Sequence, residues 1–128
     1  MGVEKVDLGK AMKPFWHPPA GRFVVVTVPK LNFLMVDGQG DPNTAPAYAA
    51  AVQWLFTMSY TLKFMSKAQG RDYSVAPLEG LWWTPDIQDF SAENKAAWHW
   101  TAMIMQPDWI NADMVAAALP KARAKLGE

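Results

Sequence analysis

One long segment constrains the fold of this chain most, because it is apolar on nearly every side. Turn residues at 38–43 precede it and Gly70 follows it, and the spacing between them predicts a helix over residues 45–67. Its only charged residues are Lys63 and Lys67. A helix that is apolar beyond a single stripe must be covered on more than one side. We therefore expect a ligand or a second subunit to share that covering with the rest of the domain.

Short runs of β-branched and aromatic residues flank this helix and predict strands. Two runs precede it, at residues 23–28 and 32–37, and two follow it, at residues 73–84 and 97–106. The last two suggest a long antiparallel hairpin. The order strand, strand, helix, strand, strand, helix predicts an α+β fold in which helices pack on one face of an antiparallel sheet.

The two ends of the chain complete this organisation. Asn111 is a candidate cap for a final helix over residues 112–126, which we expect Pro120 to break or kink. Residues 1–22 are mixed in character and end in a cluster of helix breakers. The sequence thus predicts an N-terminal arm at 1–22, followed by one domain at 23–128.

Composition excludes several classes of function. The chain has 128 residues, with 12 Lys and Arg against 12 Asp and Glu. A net charge of zero does not favour binding to a nucleic-acid backbone. Cysteine is absent, so disulfides, thiolate metal sites and cysteine nucleophiles are excluded. Because the N-terminus lacks an apolar signal core and no apolar run is long enough to span a membrane, we expect a cytoplasmic protein.

Glu79 is the strongest candidate for a functional residue. It lies in the middle of the apolar strand at 78–83, beside Gly80, where a ligand or a backbone can approach closely. A carboxylate among aromatic rings suits a flat cationic ligand, which needs a counter-charge and π-faces. Two simpler interpretations remain open: Glu79 pairs with a nearby Lys or Arg, or its face of the strand is exposed to solvent.

The pairing of the last two strands decides what surrounds Glu79. If Trp83 pairs with Trp98, then Glu79 faces Ala102, and Trp100 completes an aromatic surface around it. A shift of one residue exchanges the two faces of a strand. That shift would place a different set of residues beside Glu79: His99, Thr101 and Met103. The sequence does not choose between the two registers.

Other residues with reactive side chains are weaker candidates for a functional role. Tyr60 lies on the long helix, either as a proton donor or as part of the core with its hydroxyl at the rim. His17 and His99 have no accompanying ligand motif, so we expect no metal and no cofactor. Asp37 and Asp41 flank the glycines and are expected to form the turn.

Four segments of the sequence resemble one family. They are residues 31–43, 59–64, 77–83 and 103–108. In this order they are similar to the GyrI-like small-molecule-binding family, and specifically to its stand-alone branch, which includes cyclopropanoid hydrolases. The resemblance implies repeats of strand, helix, strand and strand, with a ligand cleft between two such repeats.

The resemblance also implies roles for residues. Glu79 would be the counter-charge, or the base that orients water, and Tyr60 the acid or hydrogen-bond donor of a catalytic pair. Glu79 and Tyr60 would also contact the ligand, and the walls that stack on it would be four tryptophans: Trp82, Trp83, Trp98 and Trp100. Stand-alone members are longer than this chain, which corresponds to about one repeat, so a homodimer is expected to restore the two-repeat cleft.

Three functions follow as hypotheses. The first is binding of an amphipathic aromatic or cationic small molecule. The second is a non-catalytic module whose tryptophans bury a homo-oligomer interface. The third is a hydrolase that opens cyclopropane-bearing alkylators. A small molecule and a second copy are the expected partners, and nucleic acid and membrane are not.

Overall fold

Antiparallel strands form the sheet on which the molecule is built. The computed structural model describes residues 4–128. Strands β2 (Asn32–Gln39), β4 (Leu78–Trp83) and β5 (His99–Gln106) lie in the order β2-β5-β4, so β5 is central and the other two are edges. Pro107 follows β5, where its missing N–H interrupts no ladder.

Two long helices supply the second layer. Helix α3 (Pro46–Ala68) packs on one face of the sheet, and α4 (Ala112–Leu126) packs against α3. The side chain of Asn111 accepts a hydrogen bond from the backbone N–H of Met114, which is the cap expected from the sequence. The predicted α+β class is confirmed. No helix within residues 4–128 is both long enough and apolar enough to cross a membrane.

The pairing of β4 with β5 follows the second of the two registers considered from sequence. Glu79 lies opposite Met103, and Trp83 lies opposite His99. Trp82, not Trp83, pairs with a tryptophan, Trp100. The choice of register decides which of these side chains share a face.

Two predicted strands differ from the structure: the strand predicted over 73–84 is interrupted, with β4 beginning at Leu78, and the strand predicted over 23–28 does not form. Residues 23–28 have the composition of a strand, but they belong to no ladder in the described chain, and Phe23 and Val25 are fully exposed. Strand formation needs a partner as well as propensity. The edge of β2 away from β5 also stays unpaired in the described chain.

Pro120 lies inside the last helix and does not break it, so of the expected break or kink the break does not occur. Helix α4 continues from Ala112 to Leu126 with Pro120 inside it. Ala118 and Ala122, on either side of the proline, are fully buried. We attribute the unbroken helix to this packing, which offsets the backbone hydrogen bond that the proline removes.

The N-terminal arm packs onto the domain. Strand β1 (Lys5–Val6) pairs in parallel with β3 (Asp72–Tyr73), and two one-turn helices follow, α1 (Leu8–Ala11) and α2 (Lys13–Trp16). Leu8 and Met12, from these turns, are buried in the hydrophobic core. The segment predicted as an arm thus contributes to the core through its first half.

Candidate functional site

The sheet face opposite α3 carries the candidate site. Successive side chains of a strand point to opposite faces, so the register assigns alternate residues to each side. We call the side away from α3 the open face, apart from Phe33 and Met105 at its end, which belong to the hydrophobic core. Its members come from all three strands: Met35, Asp37, Gln39, Glu79, Leu81, Trp83, His99, Thr101 and Met103. Leu81 and Trp83 are 52% and 41% exposed, so this face presents apolar surface to solvent.

Glu79 is half-buried on the open face and has no ion-pair partner within residues 4–128. Of the two simpler interpretations considered from sequence, pairing with Lys or Arg is therefore wrong. The half-buried side chain keeps part of its surface in solvent, without a counter-ion from the described residues. Such a position leaves the charge available to a ligand.

Asp37 is a second carboxylate on this face, although it was expected to form the turn. It lies in β2, not in the turn, and accepts a hydrogen bond of 2.5 Å from the hydroxyl of Thr101 on β5. Its alternation with Met35 was the available signal, since residues two apart on a strand share a face. The register places the Cα atoms of Asp37 and Glu79 roughly 10–12 Å apart, across two strand spacings.

An aromatic pair borders the open face at one end. The rings of Trp83 and His99 stack at 5.9 Å between centroids with 23° between their planes. They are cross-strand neighbours in the β4–β5 ladder. The indole thus offers a flat, partly exposed surface held in place by the imidazole, which suits stacking with an aromatic ligand.

Trp82 and Trp100 lie on the other side of the sheet, where Trp100 is buried and Trp82 is 37% exposed. Tyr48 of α3 contacts both indoles, at 6.4 Å and 5.2 Å between ring centroids. The indole of Trp100 crosses Gly38, where a Cβ atom would lie 2.1 Å from the ring. The structure therefore does not bring these two tryptophans together with Glu79.

Trp98 and Tyr60 are also separated from Glu79. Trp98 precedes β5, stacks on Phe90 at 4.8 Å, and donates a hydrogen bond to the carbonyl of Ser91. Tyr60 lies on the exposed side of α3, and the sheet lies between α3 and the open face. Of the residues singled out from sequence, Glu79 and Trp83 share one surface.

The larger cavities lie elsewhere, at the start of β2. Two of them have volumes of about 490 Å³ and 500 Å³, share Leu31, Asn32 and Gln106, and include neither Glu79 nor Trp83 in their linings. Within residues 4–128, no cluster of three or more His, Asp and Glu side chains is arranged to hold a metal ion. The open face is a surface, not an enclosed pocket.

Comparison with known proteins identifies similar solved structures but no known family. No profile of a known protein family matches the chain, and neither does any curated protein. Solved structures from Listeria innocua do match it. An uncharacterized conserved protein is 36% identical, with a TM-score of 0.86 over 96% of this chain and 61% of its own. Two structures of hydrolases are each 38% identical, with TM-scores of 0.85 and 0.76.

These matches cover nearly all of this chain but only part of each Listeria chain, so they show a shared fold. The match to one hydrolase structure covers 98% of this chain and 62% of the hydrolase chain. The match to the other covers 94% and 60%. The chain thus spans about three-fifths of the length of the solved structures. Its fold is shared with them, and about two-fifths of each Listeria chain has no counterpart here.

The chemistry available on the open face is that of an anionic, apolar surface. Two carboxylates are combined with thioether, aliphatic and indole groups, and the face carries no lysine or arginine among the described residues. Carboxylates favour a cation, and the adjoining rings favour an aromatic or amphipathic one. A carboxylate at the solvent border can also accept a proton from water.

Proposed function

We propose that the open face binds a cationic amphipathic small molecule, with Glu79 as its counter-charge. The observation that carries this proposal is a carboxylate without an ion pair, on the same exposed apolar face as the stacked Trp83 and His99. Asp37 supplies a second negative charge on the same face. The resemblance to the GyrI-like family adds support, since that family binds aromatic and cationic small molecules.

Hydrolysis is a second candidate, favoured by the two Listeria hydrolase structures. In that case Glu79 would accept a proton from a water molecule whose oxygen bonds to a carbon of the substrate. For a cyclopropane-bearing substrate, the ring C–C bond would break and the released carbon would take up the proton. Tyr60 is not placed to assist, because it lies on the far side of α3.

A matched pair of dyes tests the binding proposal. Tetramethylrhodamine methyl ester is a lipophilic cation, and fluorescein is an anion with a similar ring system. We expect the protein to bind the cation, measured by fluorescence anisotropy, and to bind fluorescein at least tenfold more weakly. Equal affinity for the two dyes would contradict a site organised around a carboxylate.

A substitution connects that affinity to Glu79. Glu79→Gln keeps the shape of the side chain and removes its charge, so the affinity for the rhodamine should fall about fivefold, or about 1 kcal/mol, for a half-exposed charge. Glu93→Gln, in the exposed connector, is the matched control and should leave the affinity unchanged. Equal losses in both variants would mean that net charge, not the site, attracts the dye.

Turnover separates the second candidate from the first. Incubation with a cyclopropane-bearing alkylator, followed by mass spectrometry, would reveal a product heavier than the substrate by one water. Turnover that Glu79→Gln abolishes would support hydrolysis. Binding of the alkylator without any product would leave binding as the function of this chain.

A further inference from the structure

A strand-forming segment without a partner lies just before β2. Residues 23–26 alternate in exposure: Phe23 and Val25 are fully exposed, while Val24 and Val26 are less than half exposed. This period of two is typical of an extended strand with one side against the protein. Within the described chain, residues 23–31 take part in no hydrogen bond, so the backbone of this segment is free to pair.

The edge of β2 is a matching acceptor. β2 is an eight-residue edge strand that pairs with β5 on one side. Along its free edge lies a groove of about 200 Å³ between β2 and α3, lined by apolar residues. The lining consists of Leu34, Met35, Val36, Trp54, Leu55 and Met58. A long apolar edge of this kind is a template for another strand.

The connection between the two strands explains why they do not pair within one chain. Only residues 29–31, Pro-Lys-Leu, join the segment to β2. A three-residue hairpin loop needs a residue in the left-handed conformation, usually glycine, and this loop has none. Pro29 also favours an extended backbone. An extended connection instead keeps residues 23–28 in line with β2.

We propose that two copies of this chain exchange residues 23–28, each segment adding a strand to the edge of the partner's β2. With this connection extended, residues 23–39 form one continuous strand, and two such strands run antiparallel about a two-fold axis near Lys30. Val25 of one copy then lies opposite Met35 of the other. Exchange of an identical element is a common route to dimers.

We assign the free edge of β2 to a second copy of this chain, because residues 23–28 supply a strand that can pair with it. Among residues 4–128, no other strand is left unpaired to fill the edge. Covering two β2 edges and two six-residue apolar strands buries on the order of 1,500 Å² in total, within the range of specific interfaces. Val25 of the partner then adjoins Met35, so the exchange also extends the open face with apolar groups.

Cross-linking tests the exchange directly, because the natural chain contains no cysteine. A Val25→Cys protein is mixed with a Met35→Cys protein, both at exposed positions, and oxidised. We expect a covalent species of twice the 14.3 kDa chain mass. The control replaces Met35→Cys by Leu81→Cys, on the far edge strand β4 and similarly exposed, and should yield little covalent dimer. Equal yields from both mixtures would overturn the exchange.

Two further measurements complete the test. Sedimentation of the unmodified chain at about 50 μM should give a dimer, and a single species of 14.3 kDa would refute the proposal. Insertion of Asn-Gly between Lys30 and Leu31 supplies the missing turn residues, so segment 23–28 can fold back on its own β2. That variant should be a folded monomer by sedimentation and circular dichroism. If it stays a dimer, a different surface holds the copies together.

Discussion

At the scale of single residues, charge and ring placement define the open face. Thr101 lies between Asp37 and Leu81 in the sheet and donates its hydroxyl hydrogen to Asp37. This bond fixes the orientation of one carboxylate, while Glu79 on the other edge strand has no such side-chain partner among the described residues. We therefore expect Asp37 to act as an oriented charge and Glu79 as an adjustable one.

Removal of the oriented charge should weaken the binding of cations further. Asp37→Asn keeps the hydrogen bond with Thr101 possible but cancels the charge, and we expect a two- to fivefold loss of rhodamine affinity, within the range of exposed charge pairs. The double variant with Glu79→Gln should lose about the product of the two factors, because the residues are not in contact. An unchanged affinity in Asp37→Asn would remove Asp37 from the site.

The two glycines beneath the tryptophans give a matched pair of substitutions. A Cβ atom at Gly38 would lie 2.1 Å from the ring of Trp100, which is 1% exposed, and one at Gly80 would lie 2.2 Å from the ring of Trp82, which is 37% exposed. The buried ring has no room to move, whereas the exposed ring does. Gly38→Ala should cost about 2–3 kcal/mol in urea denaturation and Gly80→Ala less than about 1 kcal/mol. Equal costs would contradict this account of the packing.

At the scale of secondary-structure elements, a buried ion pair connects α3 to β3. The ammonium of Lys63 lies 2.5 Å from the carboxylate of Asp72, and both side chains are buried. This bond lowers the pKa of Asp72 below its ordinary value of 3.8. The adjoining Tyr73 is held neutral, because burial raises its pKa well above the usual range.

The ion pair predicts how stability depends on pH. Because the folded pKa of Asp72 is depressed, its contribution is complete above the unfolded pKa near 3.8 and is lost as the pH falls through the folded value. The wild-type midpoint in thermal denaturation should therefore drop below pH 4 more steeply than that of Asp72→Asn. Parallel curves for the two proteins would show that the pair contributes no pH-dependent stability.

Replacement of the cation tests the same pair at neutral pH. Lys63→Met leaves the Asp72 carboxylate buried without its partner and should lower the thermal midpoint by several degrees or more. Lys67→Met, an exposed lysine one turn further along α3, is the control and should change it little. Similar losses in both variants would indicate a general effect of charge.

The position of the long helix was predictable from the sequence, because the residues at its two ends determine where it begins and ends. Helix α3 was expected over 45–67 and spans Pro46–Ala68, because turn residues and Gly70 bound it on both sides. The register of β4 and β5 was not predictable, since it depends on how all three strands share one core. The assignment of Trp83 and Trp82 to opposite faces, and the inclusion of Asp37 in the site, both follow from that register.

At the scale of the whole molecule, one face of the sheet is covered by α3, whereas the other is covered only in part. Helix α3 buries Trp100, Ala102 and Ile104 of the central strand, while Leu81 and Trp83 stay exposed on the opposite side. The Listeria structures with the same fold contain a further two-fifths of chain. In this chain we assign the free edge to a second copy and the open face to a small molecule.

The indole signals of the seven tryptophans provide the most direct test of this assignment. A ¹⁵N–¹H spectrum is recorded while tetramethylrhodamine methyl ester is added, and the Trp83 signal is identified by its loss in Trp83→Phe. The account predicts that the Trp83 signal shifts on binding, while the signals of the buried Trp100 and of Trp109 do not. Binding that shifts other indole signals and leaves Trp83 unchanged would contradict a site on the open face.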